Sequence, residues 1–154
     1  MLAECAAVWV FVDPVRGKLL PVPAEFDAVY GPSAGDRRIS GRLSHPKPPP
    51  DAARRPWPLR ECDFDVLDHV NNARYLEAVE DELSAQVPGQ RVVHASVEYR
   101  GAVERGEVVT LATTRRDVGR GGVELAAWLL VGAVVRVSAF VTTVPAPQVN
   151  GARD

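Results

Sequence analysis

The sequence predicts an α+β fold, a curved antiparallel sheet wrapped around one central helix, and three patterns predict it. Val70, Ala73, Leu76, Val79 and Leu83 recur at spacings of three and four, which sets them on one face of a helix. Downstream, four segments alternate apolar and polar residues with the period of two that marks half-covered strands. Gly119 to Gly122 breaks that alternation with the clearest hairpin signal in the chain. One long helix followed by an antiparallel meander leaves the sheet no other cover for its apolar face.

Taken in order, residues 3 to 12 read as a strand and Asp13-Pro14 through Gly17 as a turn. Pro23 followed by AEFDAVYG predicts a short helix, with proline first because its missing N–H costs nothing there. From Gly31 to Pro58 the chain is rich in Pro, Gly, Ser and Arg, so residues 43–56 are expected to be an extended, solvent-facing linker. The main unit is expected over 57–145, running strand, helix and then four strand-like segments, with 1–42 a minor N-terminal piece and 146–154 a tail. In the central helix, Asp68 or Asn71 is placed to cap the first turn. Tyr75 and Ala78 widen its apolar side, so the helix should be wrapped on more than one side. Glu80 to Glu82 read as a solvated face.

In the strand over 91–100, Val93, Ala95, Val97 and Tyr99 should point one way, with His94, Ser96, Glu98 and Arg100 opposite. The strand over 107–116 follows a break at Gly101 to Gly106. In the next, Val123, Leu125, Ala127, Leu129 and Val131 form the inward row. The last strand runs from after Gly132 to Val144, where Pro145 and Pro147 stop it.

Bulk properties narrow the function. At 154 residues the chain can bury a real core, and a formal charge of −2 gives no electrostatic case for nucleic acid. Cys5 and Cys62 are too few and too far apart for a disulfide framework or a zinc site, so neither metal nor cofactor is expected. The longest apolar run, Leu125 to Val135, is too short for a membrane span, and the N-terminal stretch carries Glu4 and no basic leader. A cytoplasmic protein is expected.

The chemistry concentrates in Arg60 to Leu83, RECDFDVLDHVNNARYLEAVEDEL. Asp63-Phe64-Asp65, then His69-Val70-Asn71-Asn72 and Tyr75, resembles the hotdog-fold thioesterases, most closely the acyl-acyl carrier protein thioesterases. Glu98-Tyr99-Arg100 matches a Glu-Tyr-Arg of that family, and VDPVRGKLLPVPAEF is similar to the stretch joining its two hotdog repeats. The resemblance covers nearly the whole chain but only the second half of a full member. Residues 1–42 are thus expected to be a remnant strand and short helix from the end of a first repeat, in a truncated chain or in a single-hotdog variant. There are departures. Leu67 stands where the family usually has Asn, and Gly101, Ala102 and Val103 stand where it commonly has Arg-Glu-Cys, so a second acid and a cysteine are absent.

The resemblance implies hydrolysis of a fatty acyl thioester of coenzyme A or acyl carrier protein, in a homodimer whose two hotdog units build the acyl pocket. Asp65 would be base or nucleophile and His69 its assistant. Asn71, Asn72 and Tyr75 would bind substrate, with free N–H groups at the helix start holding the oxyanion. Two alternatives stay open: a decayed acyl-thioester-binding or structural hotdog, and an acyl dehydratase on the same fold. Asp63 and Glu98 read as structural partners of Arg60 and Arg100. Arg54, Arg55, Arg74 and Arg100, if convergent, would form a mouth for an acidic carrier. His45 and His94 have no partner visible in sequence.

Overall fold

A computed structural model of the chain describes residues 3–8, 10–13, 16, 18–34 and 40–147. The chain divides into two compact units, Met1–Arg42 and Leu43–Asp154. In the first, β1 (Phe11–Val12) pairs antiparallel with β2 (Leu19–Leu20), and α1 spans Ala24–Ala34. The strand expected over 3–12 is therefore ordered as a strand only at its end, because its partner is short and runs into Pro21 and Pro23, which lack donors. Phe11 meets Phe26 of α1 edge to face, with ring centres 5.1 Å apart.

The second unit is a five-stranded antiparallel sheet with one helix on its concave face. Its strands are β3 (Ala53–Trp57), β4 (Gln90–Tyr99), β5 (Val109–Gly119), β6 (Gly122–Val131) and β7 (Val134–Pro145), in the order β3-β5-β6-β7-β4. The helix α2 spans Asn72–Gln86. This is the α+β arrangement that the helix-then-meander pattern predicts. The turn between β5 and β6 is a two-residue hairpin with Arg120 and Gly121 both at positive φ, 52° and 74°. A side chain on Gly121 would meet Pro145 Cγ at 3.0 Å.

The linker expectation is corrected. Residues 53–57 form β3, an edge strand in register with Thr113 to Val109 of β5. Pro56 fits there because an edge strand has one side free of ladder bonds. The preceding segment straps the convex face of the sheet, where Ala112, Ala126, Trp128 and Leu130 need cover. Trp128 Nε1 donates to Pro46 O (2.7 Å), and Ala52 is buried. Both faces of β6 are thus buried, the helix side by Ala127 and Leu129, the strap side by Ala126, Trp128 and Leu130.

Three further expectations shift. The buried face of α2 is Tyr75, Ala78, Val79 and Glu82, whereas Ala73 and Leu76 lie on exposed flanks. Tertiary bonds rotate the helix to this setting: Val103 N–H donates to Tyr75 Oη (3.1 Å), and Arg55 of β3 pairs with Glu82 (2.7 Å). Glu82 is consequently buried and ion-paired, not part of a solvated face. In β4 a bulge between Val92 and His94 leaves Val93 out of the ladder, so Val92 opposes Thr143 while Ala95 and Val97 oppose Val141 and Ala139.

Candidate active site

Residues 64–70 form a tight hairpin that delivers the chain to α2. Phe64 bridges Val70, Asp65 N–H donates to His69 O (2.8 Å), and Asp68 N–H donates to Asp65 O (3.1 Å). Asp68 closes the turn at φ 59°, a conformation that a short polar side chain tolerates. The Asp65 carboxylate folds over its own loop, with Oδ1 accepting from Leu67 N–H (2.8 Å) and His69 N–H (3.2 Å). Its Oδ2 has no hydrogen-bond partner among the described residues, so one oxygen positions the side chain and the other is open.

His69 is half-buried and follows directly, its backbone held by Asp65 and by a bridge to Glu104. Its ring makes no hydrogen bond or ion pair among the described residues. Asn71 caps α2, its Oδ1 accepting from Ala73 N–H (2.9 Å), as expected, while its own N–H donates to Asp63 O (2.9 Å). Arg74 N–H donates to Asn71 O. Of the first-turn donors, Asn72 N–H is then the one these bonds leave open, so a backbone donor is free at Asn72 and not at Asn71. Tyr75 is 1% exposed with its hydroxyl taken by Val103 N–H. The structure thus places Tyr75 beneath the site as a post, not on its surface.

Two supports fix this geometry; sequence spacing leaves Val103 hidden, whereas the pairing of Asp63 with Arg60 is the one expected. Val103 grips hairpin and helix together: its O accepts from Val70 N–H (2.9 Å) and its N–H reaches Tyr75. Asp63, 1% exposed, ties the hairpin to Arg60, whose N–H and guanidinium bond its carboxylate at 2.7 and 2.9 Å. Burial alone would raise the Asp63 pKa; the bonds and charge of Arg60 outweigh it and hold the carboxyl below its ordinary value. Arg105 closes the outside, bonding Asp68 (3.1 Å) and lying over the Phe64 ring at 4.5 Å.

The arginines expected to form a mouth do not remain free as a set. Arg55 pairs with Glu82, Arg74 with Glu77, and Arg100 with Glu98, which neutralises three of the four. His45, without visible partners in sequence, sits in a buried network under the strap. Its Nδ1 and Nε2 lie 2.9 and 3.0 Å from the hydroxyls of Ser138 and Ser96. Glu98 beneath it accepts from the N–H groups of Ser44 and His45 and from Arg100. Among the described residues, no group of three or more His, Cys, Asp or Glu is placed to hold a metal ion, and no helix is long and apolar enough to cross a membrane.

Against known proteins, residues 47–128, more than half of the chain, match the model of the acyl-ACP thioesterase C-terminal domain. The chain belongs to the acyl-ACP thioesterase family. The match begins within the strap, in keeping with its place in the second unit. Two curated relatives from Mycobacterium tuberculosis, strains CDC 1551 and H37Rv, both of uncharacterised function, are 29% identical over 117 residues. That span is 74% of this chain and 46% of each relative, so the chain spans less than half the length of the curated relatives it matches. Among solved structures, a putative oleoyl thioesterase from Lactobacillus plantarum superposes with a TM-score of 0.67 at 20% identity, covering 89% of this chain and 55% of that one. A 12:0-ACP thioesterase from Umbellularia californica gives 0.62 at 20% identity, covering 88% and 52%. A thioesterase from Thermus thermophilus, complexed with coenzyme A and Zn, gives 0.54 at 21%, covering 62% and 79%. At these identities the superpositions establish the hotdog fold.

Proposed function

We propose that this chain hydrolyses a fatty acyl thioester, of coenzyme A or of acyl carrier protein, to the free acid and thiol. One observation carries the reading: a single hairpin joins a half-buried carboxylate with an open oxygen, Asp65, to the start of a helix whose first N–H, at Asn72, is unspent. Family membership supplies the reaction class. As base, Asp65 takes a proton from water attacking the carbonyl carbon, and the charge that develops on the carbonyl oxygen is met by Asn72 N–H and the positive end of α2. The C–S bond then breaks, and the thiolate leaves with a proton returned from Asp65 or from His69. As nucleophile, Asp65 would instead form an anhydride that water opens. Asn71, Tyr75 and Val103 act through position, holding the helix start against the hairpin.

The partner in this reading is a second copy. Among the described residues, β4 is a ten-residue edge strand that pairs with β7 alone, which leaves its other edge for a second strand. A homodimer would run at twice 16.7 kDa in light scattering, and a species at 16.7 kDa would refute it. The activity is tested by thiol release from a panel of acyl-coenzyme A and acyl-carrier-protein substrates. Turnover on either carrier supports the reading and identifies the thiol; an inert chain that binds both overturns it. One observation favours that second reading, a binding module: Val103, at the position of the family's cysteine, is sealed in the core, so no side chain there reaches substrate.

A further inference from the structure

β3 carries two arginines in succession, and neighbouring strand residues face opposite sides of a sheet. Arg55 turns to the helix side and pairs with Glu82. Arg54, in register with Ala112 of the convex cluster, turns to the strap side. Among the described residues it has no ion pair or side-chain hydrogen bond, and neither has Lys47 of the strap. Both line one open pocket of about 300 Å³, at the small end of the range for ligand sites. Leu130, 2% exposed, and the half-buried Val135 give it apolar surface, and no carboxylate lines it.

The backbone on which these cations sit is anchored. Lys47 follows Pro46, whose carbonyl accepts from Trp128 Nε1 (2.7 Å). Arg54 lies two residues beyond the buried Ala52, whose N–H donates to Pro49 O (3.1 Å). Pro48, Pro49 and Pro50 stiffen the stretch between them. Gly132 and Ala133, the turn between the paired Val131 and Val134, complete the lining, and their N–H groups make no backbone hydrogen bond among the described residues. Two like charges that share a pocket repel each other, and an anion between them removes that cost.

We propose that this pocket binds a small amphiphilic anion, its carboxylate or phosphate head met by Lys47 and Arg54 and its short alkyl body lying on Leu130 and Val135. Arginine offers a planar fork and lysine a point charge, and both kinds of head suit that pair. The pocket shares no residue with the Asp65 hairpin or the start of α2, so the proposal is independent of thioester hydrolysis.

The test is an amide-shift titration of the full nitrogen-labelled chain with hexanoate, hexyl phosphate, acetate and hexanol. For ligands of about ten heavy atoms, Kd should be about 1 mM, with saturating shifts centred on Leu130, Gly132, Ala133 and Val135. The tighter of hexanoate and hexyl phosphate identifies the head. Acetate lacks the body and hexanol the charge, so each should bind about tenfold more weakly. Added salt should weaken the two anions and leave hexanol unchanged. Lys47→Gln combined with Arg54→Gln should weaken both anions about tenfold, whereas Lys18→Gln, which removes a cation from the first unit, should not. The proposal is overturned if neither anion gives saturable shifts at these amides up to about 20 mM, if hexanol binds as tightly as hexanoate, or if the folded double variant keeps the parent affinity.

Discussion

Replacing Glu98 with alanine tests whether the strap over the convex face is held by that one buried carboxylate. Glu98 is 8% exposed and accepts from the N–H groups of Ser44 and His45 and from Arg100. Hydrogen bonds to a charged group are worth about 1.5–3 kcal/mol each, but Ser44 and Arg100 are exposed enough to recover water, so the net loss should be about 2–4 kcal/mol. With an m-value of about 2 kcal/mol/M, the urea midpoint should fall by roughly 1–2 M. The strap covers Trp128, which is 2% exposed, so the native tryptophan emission should also shift to the red. The pH arm follows from the same network. Burial opposes the charge on Glu98, yet its N–H donors and Arg100 hold its pKa below the ordinary value. Its contribution is therefore full above about pH 4.5 and lost as pH falls through the lowered value. Burial pushes the His45 imidazole down against the pull of Glu98, so the unfolded chain takes up that proton first and stability falls as pH drops below about 6.5. The variant should lose the steeper, more acidic part of this dependence. A midpoint within 0.3 M of the parent, about 0.6 kcal/mol, with unshifted emission would refute the hold of Glu98 on the strap.

Two further substitutions test the supports of the site. Tyr75→Phe leaves the fully buried Val103 N–H without its acceptor and should cost about 1–3 kcal/mol, lowering Tm by roughly 2–10 °C in a scanning calorimeter; an unchanged Tm would mean that the hydroxyl does not hold the loop. Asp63→Asn removes the charge that Arg60 binds at the hairpin base, and about 1.5–3 kcal/mol should be lost at pH 7. Because Arg60 holds the Asp63 pKa down, that difference should shrink as pH falls below about 4; a gap independent of pH would contradict the ion pair.

The helix and the four-strand meander are legible in sequence because period and turn chemistry are local. Asn71 as cap is legible for the same reason. The setting of α2 about its axis is not: spacing alone favours Leu76 as buried, and the Tyr75–Val103 and Glu82–Arg55 contacts that turn it are made across 28 and 27 residues. β3 is hidden by its prolines, since a proline-rich stretch reads as an extended linker unless the strand it edges is known. The bulge at Val93 likewise depends on pairing with β7. At the site, the Asp65–His69–Asn72 grouping is local and readable. That Asn71 N–H is spent on Asp63 O, and that His45 meets Ser96 and Ser138, depends on hydrogen bonding that no spacing encodes.

The proposed hydrolysis turns on the open oxygen of Asp65 acting on a carbonyl held at Asn72. Its most direct test is steady-state thiol release by the unsubstituted chain and by Asp65→Asn, on whichever acyl thioester the chain turns over best. Asparagine keeps the Oδ1 acceptor for Leu67 and His69 and removes only the base or nucleophile. In Asp65→Asn, kcat should be at least 100-fold lower, with KM within about threefold and the melting temperature within a few degrees. A folded Asp65→Asn protein that keeps kcat within about fivefold would contradict it.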